Sequence, residues 1–122
     1  MAKYTHPDNL DAALTEVAAA TDMYACSAQP ADFAGVAAVN LATVGMAPAD
    51  FTIADGLASG RRLTIAAKGG VAVANPGLVN HVALVDTANS KLLYVTTADA
   101  QEVTDGSFVD FPEWAIEIAD PV

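Results

Sequence analysis

Cysteine is nearly absent: Cys26 stands alone in the chain. An intramolecular disulfide is therefore excluded, and so is a zinc site built on several thiolates. Basic residues are few, with 5 Lys plus Arg against 15 Asp plus Glu and a formal charge of −10. Phosphate contacts need a basic surface, so this balance argues against nucleic-acid binding. It also disfavours anionic membrane surfaces. No apolar run approaches the ~20 residues of a membrane-spanning helix. The opening Met-Ala-Lys-Tyr-Thr-His-Pro lacks an apolar export segment, so synthesis in the cytoplasm without export by a signal peptide is expected. Histidine occurs twice, as His6 and His81, and tryptophan once, as Trp114.

What the sequence does contain is small and apolar. At 122 residues, 53% of them hydrophobic, it has the length for one domain, 1–122, with a real core, and is too apolar for a disordered chain. Much of that share is Ala and Val, which predicts a core of small side chains. The acidic surface suits solubility at high local density, or docking onto a basic partner.

The stretch Val79–Thr97 carries the strongest local signal. Val79–Val85 and Lys91–Thr97 are rich in Val, Leu, Thr and Tyr, and Asp86-Thr87-Ala88-Asn89-Ser90 lies between them. Short polar side chains bond to nearby backbone and turn the chain, so the stretch reads as a β-hairpin, expected at the middle of a sheet. Asn9–Ala20 is the one helix predicted with an apolar stripe, made of Leu10, Ala13, Leu14, Val17 and Ala18. Asp8 is its expected N-cap, and the stripe is expected to pack on the domain's own sheet.

Alternation predicts strands over Asp22–Ala28 and Trp114–Ile118, and short runs between Gly, Pro and Asp turns predict further ones over Asn40–Met46, Phe51–Ala54, Arg61–Lys68, Val71–Ala74 and Gln101–Thr104. Gln29–Val39 reads as a loop with one helical turn near Ala31–Gly35, and Pro48-Ala49-Asp50 as a turn. Gly69-Gly70 would supply the positive φ of a tight hairpin between the strands on either side. The fold class is thus mainly β with one N-terminal helix (α+β), as an antiparallel sandwich or a partly closed barrel.

No constellation for chemistry emerges. Cys26 has no Lys, Arg or His nearby in sequence to stabilise a thiolate and reads as a buried, inert thiol. His81 has no second histidine in register and reads as a hydrogen-bonded structural residue, while His6 is expected to be exposed. There is no Gly-x-Ser-x-Gly elbow and no phosphate-cradling glycine loop. Asp55, Asp86, Asp105 and Asp110 sit in turns without the spacing of a calcium loop. Arg61-Arg62, the one basic pair, is expected to meet acids of its own fold or of a partner, with at most one of the two facing inward. The sequence therefore predicts no catalytic, cofactor or metal site, and no enzyme.

Three segments together resemble a group of small tailed-bacteriophage proteins: Ser59-Gly60-Arg61-Arg62-Leu63-Thr64-Ile65, His81-Val82-Ala83-Leu84-Val85-Asp86 and Ser90-Lys91-Leu92-Leu93. The likeness extends over about Thr5–Thr97, with a helix at the start and Cys26-Ser27 in place, and excludes Ala98–Val122. It implies a virion structural protein and carries no functional residues with it. A capsid decoration (cement) protein bound to the outside of the head shell suits an acidic, compact domain. A tail, baseplate or fibre accessory protein is the alternative, and a carbohydrate-binding module, resting on Trp114, is a further one. The implied partners are the major capsid protein, other virion proteins or further copies of the chain. The segments expected to meet them are Ala2–Pro7, Gln29–Gly35 and Ala98–Val122.

Overall fold

A computed structural model describes residues 3–121. The chain runs α1 (Pro7–Val17), β1 (Asp22–Cys26), α2 (Phe33–Val39), β2 (Asn40–Gly45), a 3-10 turn (Pro48–Asp50), β3 (Phe51–Asp55), β4 (Arg61–Ile65), β5 (Lys68–Ala72), β6 (Gly77–Asp86), β7 (Lys91–Val103), β8 (Phe108–Phe111) and β9 (Trp114–Ile118). The architecture is mainly β with an N-terminal helix, and all strand pairings are antiparallel. Among the described residues there are three sheets, ordered β2-β1-β6-β7, β3-β4-β9 and β5-β8, and they do not close into a barrel.

The core forms where these sheets face one another. Met23 and Leu84, directly paired on β1 and β6, bring one face of the four-stranded sheet to Leu63 and Ile65 of β4. Leu14 of α1 joins the same cluster, as do Val71, Val109 and Phe111 of the two-stranded sheet. Small residues such as Ala25 and Ala42 are wholly buried, as the composition predicts. Gly60 is one place where no side chain fits: φ is +71°, and a Cβ there would lie 1.8 Å from the carbonyl oxygen of Ile118.

Several expectations need correction. The helix begins two residues early because His6, not Asp8, is the N-cap: its Nδ1 accepts from the Asp8 N–H at 3.1 Å, which puts Pro7 at the first helical position. It ends at Val17 rather than Ala20. Ala19 and Ala20 bond three residues back, and Thr21 already donates to Val85 in the sheet. Ala13, assigned to the stripe, is exposed.

Gln29–Val39 holds a second, short helix in place of a loop with one turn. Asp32 caps it by accepting from Gly35 N–H at 2.7 Å, and Val36 buries its apolar side. The predicted strand Arg61–Lys68 stops at Ile65, and Gly69-Gly70 does not make a hairpin. β4 pairs with β3 and β9, whereas β5 pairs with β8. Gly70 does adopt a positive φ of +65°, but within a bulge between Lys68 and Val71, where its N–H donates to Asp110. The central hairpin is present and longer than predicted, but only β6 is interior and β7 forms the sheet edge. Gln101–Thr104 is not a separate strand, since Gln101–Val103 belongs to β7; β8 had no counterpart in the sequence reading.

Candidate functional site

Of the residues singled out in the sequence, Cys26 and His81 meet as cross-strand partners on β1 and β6 and Arg61 meets Asp55, while the others lie apart. Cys26 is fully buried, and burial pushes its thiol up to about 11. His81 is half-buried with Nδ1 2.7 Å from Asn80 Oδ1. Arg61 faces α1, donating to Asp11 at 2.7 Å and to Asp55 at 2.6 Å, which raises its pKa through those two hydrogen bonds. Arg62 points to the opposite face, and its Nε is buried without an acceptor among the described residues. Asp86 is buried and caps the β6–β7 turn by accepting from Asn89 Nδ2 at 2.7 Å. Among the described residues no three His, Cys, Asp or Glu side chains converge as metal ligands would.

The three segments expected to meet a partner fare differently. Lys3 and Tyr4 are exposed, and Ala2 lies outside the described residues. Gln29–Gly35 is partly committed, with Pro30 buried and Asp32 engaged at the cap. Ala98–Pro121 is no tail: it supplies the end of β7 and all of β8 and β9, with Val103, Val109, Phe111 and Ile116 in the core. Val122 lies outside the described residues.

That segment contributes to an open cleft of about 530 Å³. One wall is Thr96–Asp99 of β7, and the other is Val109–Pro112 with Trp114 and Ala115. Successive residues of a strand point to opposite faces, so walls made of consecutive residues are strand edges. Ala25 and Val82, paired across β1 and β6, form an apolar floor. The cleft is where the sheets fail to meet.

Two local features shape it. The β6–β7 ladder is regular at His81–Thr97 and again at Val79–Gln101, so Asn80 stands opposite Ala98, Asp99 and Ala100. This bulge re-aims the strand and places Asp99 on the cleft wall. Trp114 packs against Tyr94 with ring centroids 6.1 Å apart, and its indole N–H is buried without an acceptor among the described residues.

The electrostatics are one-sided. Asp99, Glu102, Asp105, Asp110, Glu113, Glu117 and Asp120 fall in a stretch with no Lys or Arg, giving −7 of the chain's −10. Arg61, Lys68 and Lys91 are held in ion pairs by Asp11, Asp55, Asp50 and Glu16, all outside that stretch. Among the described residues no ion pair reaches these seven acids; Asp99 and Asp110 line the cleft, whereas Glu117 accepts from the Leu57 N–H in the β3–β4 loop. The signal for this was present in the sequence as a charge asymmetry toward its C-terminal quarter. What the sequence could not show is that this quarter lines a cleft.

No family model matches the chain, and neither the curated proteins nor the solved structures hold a match to it.

Proposed function

We propose that this chain is a structural protein of a tailed-bacteriophage particle that works by binding: a capsid decoration protein seated on the outside of the head shell. The observation that carries the reading is the segregation of charge. Its cations are largely spent on pairs within the fold, while Asp99 and Asp110, in no ion pair among the described residues, give an open cleft an acidic face. Such a face is built for association with a basic surface and repels other copies until that surface is met. The sequence resemblance described above points to a virion, and the major capsid protein is the partner this reading names.

Labelling the protein and imaging virions tests it, together with mass spectrometry of separated heads and tails. The expected result is the protein on heads, released as salt is raised because exposed charges are screened. Finding it only on tails would replace the reading with the tail, baseplate or fibre accessory role, and its absence from virions would end both. A carbohydrate-binding role is favoured by one feature, the placement of Trp114 beside Thr96, Thr97 and Asp99. Its indole is already packed on Tyr94, which leaves less open ring for a sugar.

A further inference from the structure

We infer that the cleft beside β7 is a docking slot for an extended, lysine- or arginine-bearing segment of a partner polypeptide, which adds to β7 as a further strand. The inference names the face used in the decoration reading, and rests on that reading only for the identity of the partner.

Three observations converge. β7 pairs with β6 alone, so along its 13 residues one edge has no backbone partner among the described residues. The opposite edge of the same sheet is treated differently: β2 is covered by the Ala42–Val73 bridge and by Ala74 and Asn75 donating to Leu41 O. An uncovered strand edge is a template for strand addition, in which main-chain hydrogen bonds supply affinity and side-chain pockets supply specificity. Second, the space alongside β7 is already cleared. Strand edges bound it on both sides, and Ala25, Val79 and Val82 give it an apolar floor. Third, the walls are acidic. Asp99 on β7 and Asp110 on β8 line the slot, Glu113 is exposed just beyond it, and among the described residues none of the three is in an ion pair.

The occupant follows from the charge. A second copy of this chain is a poor fit, because it carries −10 and its basic residues are largely engaged. Charge and bulge together are the devices by which proteins keep an edge strand from pairing with its own kind. Here they also set selectivity: the carboxylates exclude acidic strands and favour a cationic one.

The test uses the isolated full chain, whose sole tryptophan, Trp114, lies in the slot and reports on it by fluorescence. The probe is a peptide of about ten residues alternating lysine with valine or threonine, long enough to lie along the edge at ~3.4 Å per residue. At low salt it should shift Trp114 emission saturably and protect amides of Thr96–Asp99 from hydrogen exchange. The same peptide with proline at alternate positions, which lacks the N–H groups a ladder needs, should bind at least about tenfold more weakly. The version with glutamate in place of lysine should not bind. Asp99→Lys and Glu113→Lys, both at exposed positions, should each weaken the basic peptide by about tenfold or more, as loss of a complementary charge does. Thr15→Lys on the exposed side of α1 should not. Equal binding of the proline peptide, protection confined to another element, or dimerisation of the free chain through β7 would overturn the inference. The two readings fail separately. A protein found off the heads that still binds the peptide loses only decoration, and an Asp99→Lys variant that still coats heads loses only the slot.

Discussion

Cys26 shows how much a single side chain can say once its surroundings are known. It lies on β1 opposite His81, fully buried, and burial raises its thiol from 9.0 to about 11. The thiol form is therefore favoured by folding. The stabilising contribution is complete below pH 9.0, where the unfolded thiol is also protonated, and is lost as pH rises through 9.0 to about 11. Tyr24 shifts in the same direction, chiefly through burial, and adds to the loss at the alkaline end. Unfolding free energy is expected to fall by on the order of 2 kcal/mol across that interval on account of Cys26, since each pKa unit is worth about 1.4 kcal/mol. Denaturant titrations at a series of pH values check this. Cys26→Ala should flatten the slope and leave the part due to Tyr24. A thiol reagent should label the native protein only at the rate at which the sheet opens.

At the scale of elements, α1 tests whether the layers hold together as described. Leu14 is 1% exposed and sits in the core cluster beside residues of β4. Arg61 ties the same helix to the sheet from the side through Asp11. Leu14→Ala should cost about 2–5 kcal/mol, as core truncations that leave a cavity do. The measurement is the shift in denaturation midpoint at constant slope. A variant that melts like the parent would mean that α1 contributes nothing to the packed core. The exposed Ala13 provides the contrast: a change to Ser there should lie within about 0.5 kcal/mol of the parent, as surface substitutions do.

Across the whole molecule, net charge acts against compactness. Fifteen carboxylates, seven of them between Asp99 and Asp120, repel one another in the folded state more than in the expanded one. Stability should therefore rise with sodium chloride from low ionic strength to about 0.3 M, as the screening length shrinks to below ~10 Å. Thermal midpoints measured along that series check the sign. The four Lys and Arg ion pairs among the described residues work in the opposite sense, because salt weakens them, but they are partly exposed and individually small. A midpoint that falls with salt would mean that these pairs outweigh the repulsion. The same series bears on the proposed docking slot, since the charge that destabilises the free chain is the charge a basic partner would neutralise.

What the sequence determined by itself is local. Alternation placed strands over Asp22–Ala28 and Trp114–Ile118, and apolar runs between turns placed those over Asn40–Met46 and Phe51–Ala54, close to the observed β1, β9, β2 and β3, because these signals are written in neighbouring residues. The β6–β7 hairpin and α1 were legible for the same reason, one through its polar turn and the other through Leu10, Leu14 and Val17. The tertiary structure decided everything that depends on distant partners. α2 was hidden because Phe, Val and Gly are poor helix formers; it is held by the Asp32 cap and the burial of Val36. Gly69-Gly70 carried the right conformational signal, but whether it serves a turn or a bulge depends on β8, some forty residues away. β4 meets β9, and β5 meets β8, because an alternating strand fits any neighbour with a compatible face, and only the shared core selects among them. The cleft follows from that selection: its walls are strands with no sequence signal for being neighbours, left with unpaired edges where the sheets stop short of closing.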